Sequence, residues 1–136
     1  IYALKSSNGD LVWRFEKGGY GRGLVYGDKL FAATTDGKVV ALEKTTGLKQ
    51  WIYELPSSAG IASSPVLYKG TLAIGESQGA LKFLDLRTGK ELASYSTGRG
   101  IFATPLVDEK SNRVYVISGE SLLYSFDVKW ISTRFL

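Results

Sequence analysis

The chain says nearly the same thing three times and begins a fourth. Tyr2-Ala3-Leu4 is followed by Gly9 and Trp13, six and ten residues beyond the alanine. Val40-Ala41-Leu42 is followed by Gly47 and Trp51 at the same offsets, and Lys82-Phe83-Leu84 by Gly89 and Ala93. Tyr124-Ser125-Phe126 opens the fourth copy, whose ten-offset position is Phe135. The glycines recur after 38 and then 42 residues, a period that marks stacked supersecondary units. In such an array a residue first has to pack against the neighbouring copy, so many conspicuous side chains already have a structural task.

Each copy splits into four short β-rich segments separated by turn chemistry. In the second copy these are residues 23–26, 29–33, 38–42 and 48–53, divided by Gly27-Asp28, Thr34-Thr35-Asp36-Gly37 and Lys44-Thr45-Thr46-Gly47. The third copy repeats the scheme with Tyr68-Lys69-Gly70, Ser77-Gln78-Gly79 and Arg87-Thr88-Gly89. Glycine supplies the positive φ that tight hairpins need. Four antiparallel strands per repeat and no helical period predict an all-β fold of propeller blades. Residues 1–136 then form a single partial propeller: a half blade (1–16) and blades over 17–54, 55–96 and 97–136. Three and a half blades do not close, since propellers need at least about four. The expectation is a piece of a seven- or eight-bladed propeller, or closure by a second chain; the lack of any methionine favours an excised piece.

The last strand of each copy alternates. Trp13 and Phe15, Trp51 and Tyr53, and Ala93 and Tyr95 share one face, while Arg14, Ile52 and Ser94 point the other way. Trp13, Phe15, Trp51, Tyr53 and Tyr95 are therefore expected to dock blade on blade, each large ring burying about 150–250 Å². A tryptophan box around a cofactor is the alternative, and the spacing that follows the blade argues against it.

These residues carry a resemblance. Ala41-Leu42-Glu43-Lys44-Thr45-Thr46-Gly47-Leu48-Lys49-Gln50-Trp51 resembles the PQQ-like β-propeller repeat, Ala-x-Asp-x-x-x-Gly-x-x-x-Trp, with Glu43 for the aspartate. Ser63-Ser64-Pro65-Val66 and Ala103-Thr104-Pro105-Leu106 match the family's inner strand. Lys5, Gly23, Ala93 and Ile131 depart from the pattern, so the last hairpin of the fourth copy departs with them. The resemblance implies that the tryptophans join blades. Within the family, quinoprotein dehydrogenases hold their quinone over a vicinal disulfide and a calcium ion, whereas BamB-type lipoproteins of outer-membrane assembly act as docking scaffolds without a cofactor.

Composition narrows the choice. The 136 residues contain no histidine and no cysteine, which removes the usual general base, thiolate metal sites and a disulfide. No acidic cluster has calcium-loop spacing. No catalytic, cofactor or metal residues are assigned, and no enzymatic activity is expected. Net charge is +4, with the cations scattered through turns and read as solvated, so no nucleic-acid partner is expected. No apolar run reaches the ~18 residues of a membrane span. Gly19-Tyr20-Gly21-Arg22-Gly23 is not a phosphate loop, because a strand follows it rather than a helix. Asp85 and Asp127 are expected to bond their own turns.

Blade topology places the inter-blade loops and the second-to-third-strand turns on one side of the disc. That side carries Gly19–Arg22, residues 59–62 and residues 98–102, joined by Asp36, Glu76, Gln78 and Glu120. Exposed aromatics and arginines on rigid loops are the usual anchors of protein recognition. Tyr20, Arg22, Ile61, Arg99 and Phe102 are the candidate partner-binding face; the alternative is that Ile61 and Phe102 plug the channel end. The resulting expectation is an extracytoplasmic, periplasmic or cell-envelope docking scaffold for protein partners. Its alternatives are a fragment of a PQQ-dependent quinoprotein dehydrogenase and a sensor propeller attached to a signalling domain.

Overall fold

The computed structural model describes residues 1–57 and 60–130. Among these residues there is no helix, and thirteen strands form four antiparallel sheets. The first is two-stranded, β1 (Tyr2–Leu4) with β2 (Leu11–Arg14). The second runs in order β3 (Gly19–Tyr26), β4 (Lys29–Thr34), β5 (Lys38–Glu43), β6 (Lys49–Glu54). The third repeats that order with β7 (Val66–Tyr68), β8 (Thr71–Glu76), β9 (Ala80–Asp85) and β10 (Glu91–Ser96). The fourth contains β11 (Leu106–Asp108), β12 (Arg113–Ile117) and β13 (Leu123–Phe126). The sheets form an open stack, a partial β-propeller. Phe135 and the remainder of the fourth copy's last hairpin lie outside the described residues.

The β4, β5, β8 and β9 strands read as nearly continuous apolar runs because both of their faces are covered. Phe31, Ala33, Val39 and Ala41 pack with Ala62, Leu72, Ile74 and Leu84 in one cluster between the second and third sheets. Ala73, Leu81 and Phe83 meet Val114 and Val116 in the next. Large and small residues alternate across the ladders: Phe31 faces Ala41, whereas Ala73 faces Phe83. Either order fills the same layer.

One expected loop is a strand. Residues 19–22 extend β3, with Gly19 opposite Thr34 and Tyr20 opposite Ala33, before a register shift between Tyr20 and Leu24. Gly21 adopts φ +70° in that irregular stretch, and the Arg22 N–H donates to Ser64 Oγ at 2.7 Å. A bulge that hands a backbone donor to the next sheet prolongs the strand where composition alone suggests a loop.

Candidate docking face and blade contacts

The turns sort to two edges by their hydrogen bonds. Thr35 N–H donates to Gly18 O, Ser77 N–H to Ile61 O and Gly119 N–H to Gly100 O, so each β-turn between second and third strands is tied to the connection entering its sheet. On the opposite edge Lys44 N–H donates to Asp28 O. The first edge carries the candidate binding residues on a backbone cross-linked to the sheets.

On that edge the structure divides the five candidates. Arg99 and Phe102 lie together, lining with Ser77, Gln78, Gly98 and Gly119 a crevice of about 410 Å³. Phe102 is 62% exposed. Arg99 Nε donates to Glu120 Oε1 at 2.8 Å in a solvent-facing pair. Ile61 is half-buried and adjoins the crevice through Ser77, whose hydroxyl accepts its N–H at 2.9 Å. Tyr20 and Arg22 stand apart on β3. Tyr20 lines a separate cleft with Ile1 and Tyr2, and the Arg22 side chain is exposed.

Three expectations are corrected here. Of the connection residues expected to be buried or exposed there, Ile61 is half-buried and Phe102 exposed, and the fully buried one is Ile101, which joins the core cluster of the third and fourth sheets. It packs so closely on Gly75 that a Cβ there would lie 2.3 Å from Ile101 Cγ2, and its N–H donates to Glu76 O. Glu76 is not an exposed turn residue. It ends β8 with its side chain buried beside Lys82, an interior cation rather than a solvated one. Lys82 Nζ lies 3.6 Å from Glu76 Oε2, 3.2 Å from Glu91 Oε2 and 3.3 Å from Ser94 Oγ. Tyr53 OH also donates to Glu91 Oε2, and burial, reinforced by that carboxylate, pushes the phenol well above its usual range. Finally, Asp85 does cap its own turn, accepting from the Arg87 and Thr88 N–H groups and the Thr88 hydroxyl. Asp127 instead accepts from Lys69 Nζ at 3.0 Å, because no Thr-Gly turn follows it to supply donors.

The expected docking aromatics lie at sheet-to-sheet contacts to differing degrees. Trp13 Nε1 donates to Lys44 O at 2.9 Å and Trp51 Nε1 to Leu86 O at 3.0 Å, both indoles being buried. Each ring lies against the glycine of the following turn. A Cβ on Gly47 would come within 2.6 Å of Trp13, and one on Gly89 within 2.5 Å of Trp51. Sequence reasoning assigned these glycines only to turn geometry; the recurrence of both glycine and tryptophan at fixed offsets from copy to copy was the available signal. Phe15 and Tyr53 are half-buried. Tyr95 reaches the fourth sheet, 5.6 Å from Phe126 between centroids, yet stays 38% exposed because Ala93 leaves no indole over it.

Among the described residues no group of three or more Asp or Glu could hold a metal ion. The indoles of Trp13 and Trp51 are sandwiched between sheets rather than lining a cavity.

Stacked four-stranded sheets joined by tryptophan on glycine define a β-propeller built from PQQ-like repeats. The sequence profile of the family described as outer membrane protein assembly factor BamB matches residues 1–132, and the chain belongs to that family. It is similar to the outer membrane protein assembly factor BamB of Legionella pneumophila (strain Paris), 28% identical over 128 residues, covering 94% of this chain and 33% of that protein. The crystal structure of BamB from Moraxella catarrhalis superposes with a TM-score of 0.77 at 25% identity, over 93% of this chain and 39% of that one. A quinohemoprotein alcohol dehydrogenase from Comamonas testosteroni shares the fold, with TM-score 0.74 at 17% identity over 86% and 26% of the two chains. The chain spans about a third of the length of the curated relatives it matches.

Proposed function

We propose that the chain is part of a non-enzymatic propeller scaffold that docks protein partners during outer-membrane protein assembly in the cell envelope. The crevice beside Phe102 and Arg99 carries this reading. It offers an exposed aromatic and a guanidinium over glycine backbone, on connections fixed by the Ile101–Glu76 and Gly119–Gly100 hydrogen bonds. Anchors preorganised in this way lose little entropy on binding. The family's name supplies the process, and the extracytoplasmic location follows from it. The lack of histidine and cysteine favours the scaffold over a dehydrogenase fragment.

The test is Arg99→Ala with Phe102→Ala in the full-length protein, measuring co-purification with the outer-membrane assembly machinery and the level of folded outer-membrane barrels. Reduced co-purification at unchanged thermal stability supports the reading. Arg87→Ala, on the opposite edge, should leave both unchanged. Equal behaviour of the two variants would show that this edge is not the docking surface.

A further inference from the structure

The turn between β12 and β13 holds a buried polar group that its own fold leaves unsatisfied. Ser118 is buried, and its Oγ has no hydrogen-bond partner among the described residues. A hydroxyl withdrawn from water without a replacement bond is unfavourable. The same place in the second sheet is satisfied: Thr34 Oγ1 donates to Asp36 Oδ1 at 2.6 Å. The two turns share one conformation. Gly37 N–H donates to Thr34 O and Ser121 N–H to Ser118 O, and Gly37 and Ser121 both lie in the left-handed region, at φ +75° and +64°. Glu120 therefore occupies the position of Asp36, two residues beyond the hydroxyl.

Each carboxylate also faces a cation on the connection entering its sheet. Lys17 precedes Gly18, whose carbonyl accepts the Thr35 N–H, and Arg99 precedes Gly100, whose carbonyl accepts the Gly119 N–H. Asp36 divides its oxygens, Oδ1 to Thr34 and Oδ2 to Lys17 Nζ at 3.2 Å. Glu120, one methylene longer, gives Oε1 to Arg99 Nε and leaves Ser118 without a bond. The solvent-facing setting is a property of this edge of the repeat. Lys17 and Asp36 belong to a sheet packed on both faces, yet their side chains remain 54% and 36% exposed.

We propose that Glu120 is a displaceable internal ligand of Arg99. It occupies the guanidinium in the free protein, and turns inward to accept from Ser118 Oγ when a hydrogen-bond acceptor of the docked partner takes Arg99. This regulation rests on the docking reading of the Phe102 crevice, which Arg99 helps to line. The exchange is nearly balanced. An exposed ion pair such as Arg99–Glu120 contributes little net stability, and the inward carboxylate gains a charge-assisted bond from a buried hydroxyl. A partner shifts such an equilibrium only through its different affinity for the two arrangements. Here that difference is the guanidinium, occupied with Glu120 outward and free with it inward. Asp36 allows no comparable release, because it holds Thr34 and Lys17 together.

Two measurements on the full-length protein test this. The first needs no partner. Ser118→Ala should leave amide exchange at Ser118 and Ser121 unchanged in the otherwise unaltered protein, where the hydroxyl is unbonded. In Arg99→Ala, where Glu120 has turned inward, adding Ser118→Ala should speed that exchange by about two- to tenfold. An equal effect of Ser118→Ala in both backgrounds would overturn the proposal. The second is co-purification with the outer-membrane assembly machinery at limiting concentration. Glu120→Ala should raise capture, and Ser118→Ala should lower it only while Glu120 is present. A purely structural role for Ser118 would lower capture in both backgrounds and would overturn the proposal. Unchanged or reduced capture by Glu120→Ala, with Arg99→Ala and Phe102→Ala together still abolishing it, would overturn the internal-ligand role and leave the docking reading standing. Failure of the docking reading looks different: the Arg99 and Phe102 double variant would be captured normally, and the proposal would fall with it.

Discussion

Replacing Gly47 with alanine should be far more damaging than the same change at Gly9, although both glycines occupy the same place in the repeat and nearly the same backbone conformation. Their φ values are +73° and +78°. In each case a Cβ brings the left-handed penalty of about 1–2 kcal/mol, partly offset by about 0.4–1 kcal/mol of unfolded-state entropy. A net cost near 1 kcal/mol is thus common to both. Among the described residues, only Gly47 of the two has a ring over it. A Cβ there would lie 2.6 Å from Trp13 Cδ2 and Cε3, whereas a Cβ on Gly9 would have none of the described non-neighbouring atoms within 4 Å. Carbon atoms prefer about 3.5–4.0 Å, so the indole must withdraw by roughly 1 Å. That stretches the 2.9 Å Trp13 Nε1–Lys44 O bond beyond useful length. The lost bond costs about 0.5–1.5 kcal/mol, and the loosened contacts of a buried tryptophan add about 1–2 kcal/mol, a fraction of the ~3–5 for its full truncation. Gly47→Ala should therefore be destabilised by about 1.5–3.5 kcal/mol more than Gly9→Ala. Urea unfolding followed by tryptophan fluorescence measures the difference, and amide exchange should show β1–β2 loosening first. In the Trp13→Ala background the excess should vanish, because the coupling runs through the ring. If the two alanine variants agree within about 0.5 kcal/mol, or the excess survives without Trp13, the tryptophan-on-glycine account is wrong.

Other expectations follow from the interior charges and the turns. Lys82→Val should cost about 3–5 kcal/mol in chemical denaturation, since it strands the buried Glu76 carboxylate. Adding Glu76→Thr, which reproduces Thr34 and Val40 of the preceding copy, should restore most of the loss; no restoration would show that the pair is not the source of the cost. The Glu43 carboxylate is held at about 2 by hydrogen bonds from Thr45, then Thr46. Because its folded pKa is depressed, its contribution is present above the ordinary carboxyl range and is lost as pH falls from about 4.5 through about 2. Amide exchange at Thr46 and Gly47 should rise across that window in the native protein. In Glu43→Gln the pH-dependent part should disappear, and an unchanged profile would contradict the assignment.

The repeat made the fold readable because each spacing was tested several times within one chain. An apolar run, a Thr-Gly turn and an aromatic at fixed offsets leave few arrangements other than four-stranded sheets stacked face to face. What escaped lay where one copy departs from the others. Glu76 and Lys82 replace Thr34 and Val40, and each alone resembles a surface residue on a strand end; only their meeting on one buried face, with Glu91 and Tyr53 arriving from other strands, accounts for them. Ile101 likewise looked like one residue of a connecting loop, until the bare backbone of Gly75 made room for its side chain. Tyr20 and Arg22 were misplaced because Gly21 permits a bulge in which the backbone, not the side chains, makes the decisive contact with Ser64. In each case the deciding information is a pairing between copies, which a periodic reading averages away. The same reasoning explains why the candidate docking residues were the least legible. Arg99 and Phe102 belong to the connection between sheets, where the strand and turn rules of the repeat impose no side chain. Their convergence over glycine backbone emerges only when the neighbouring turns are folded against them.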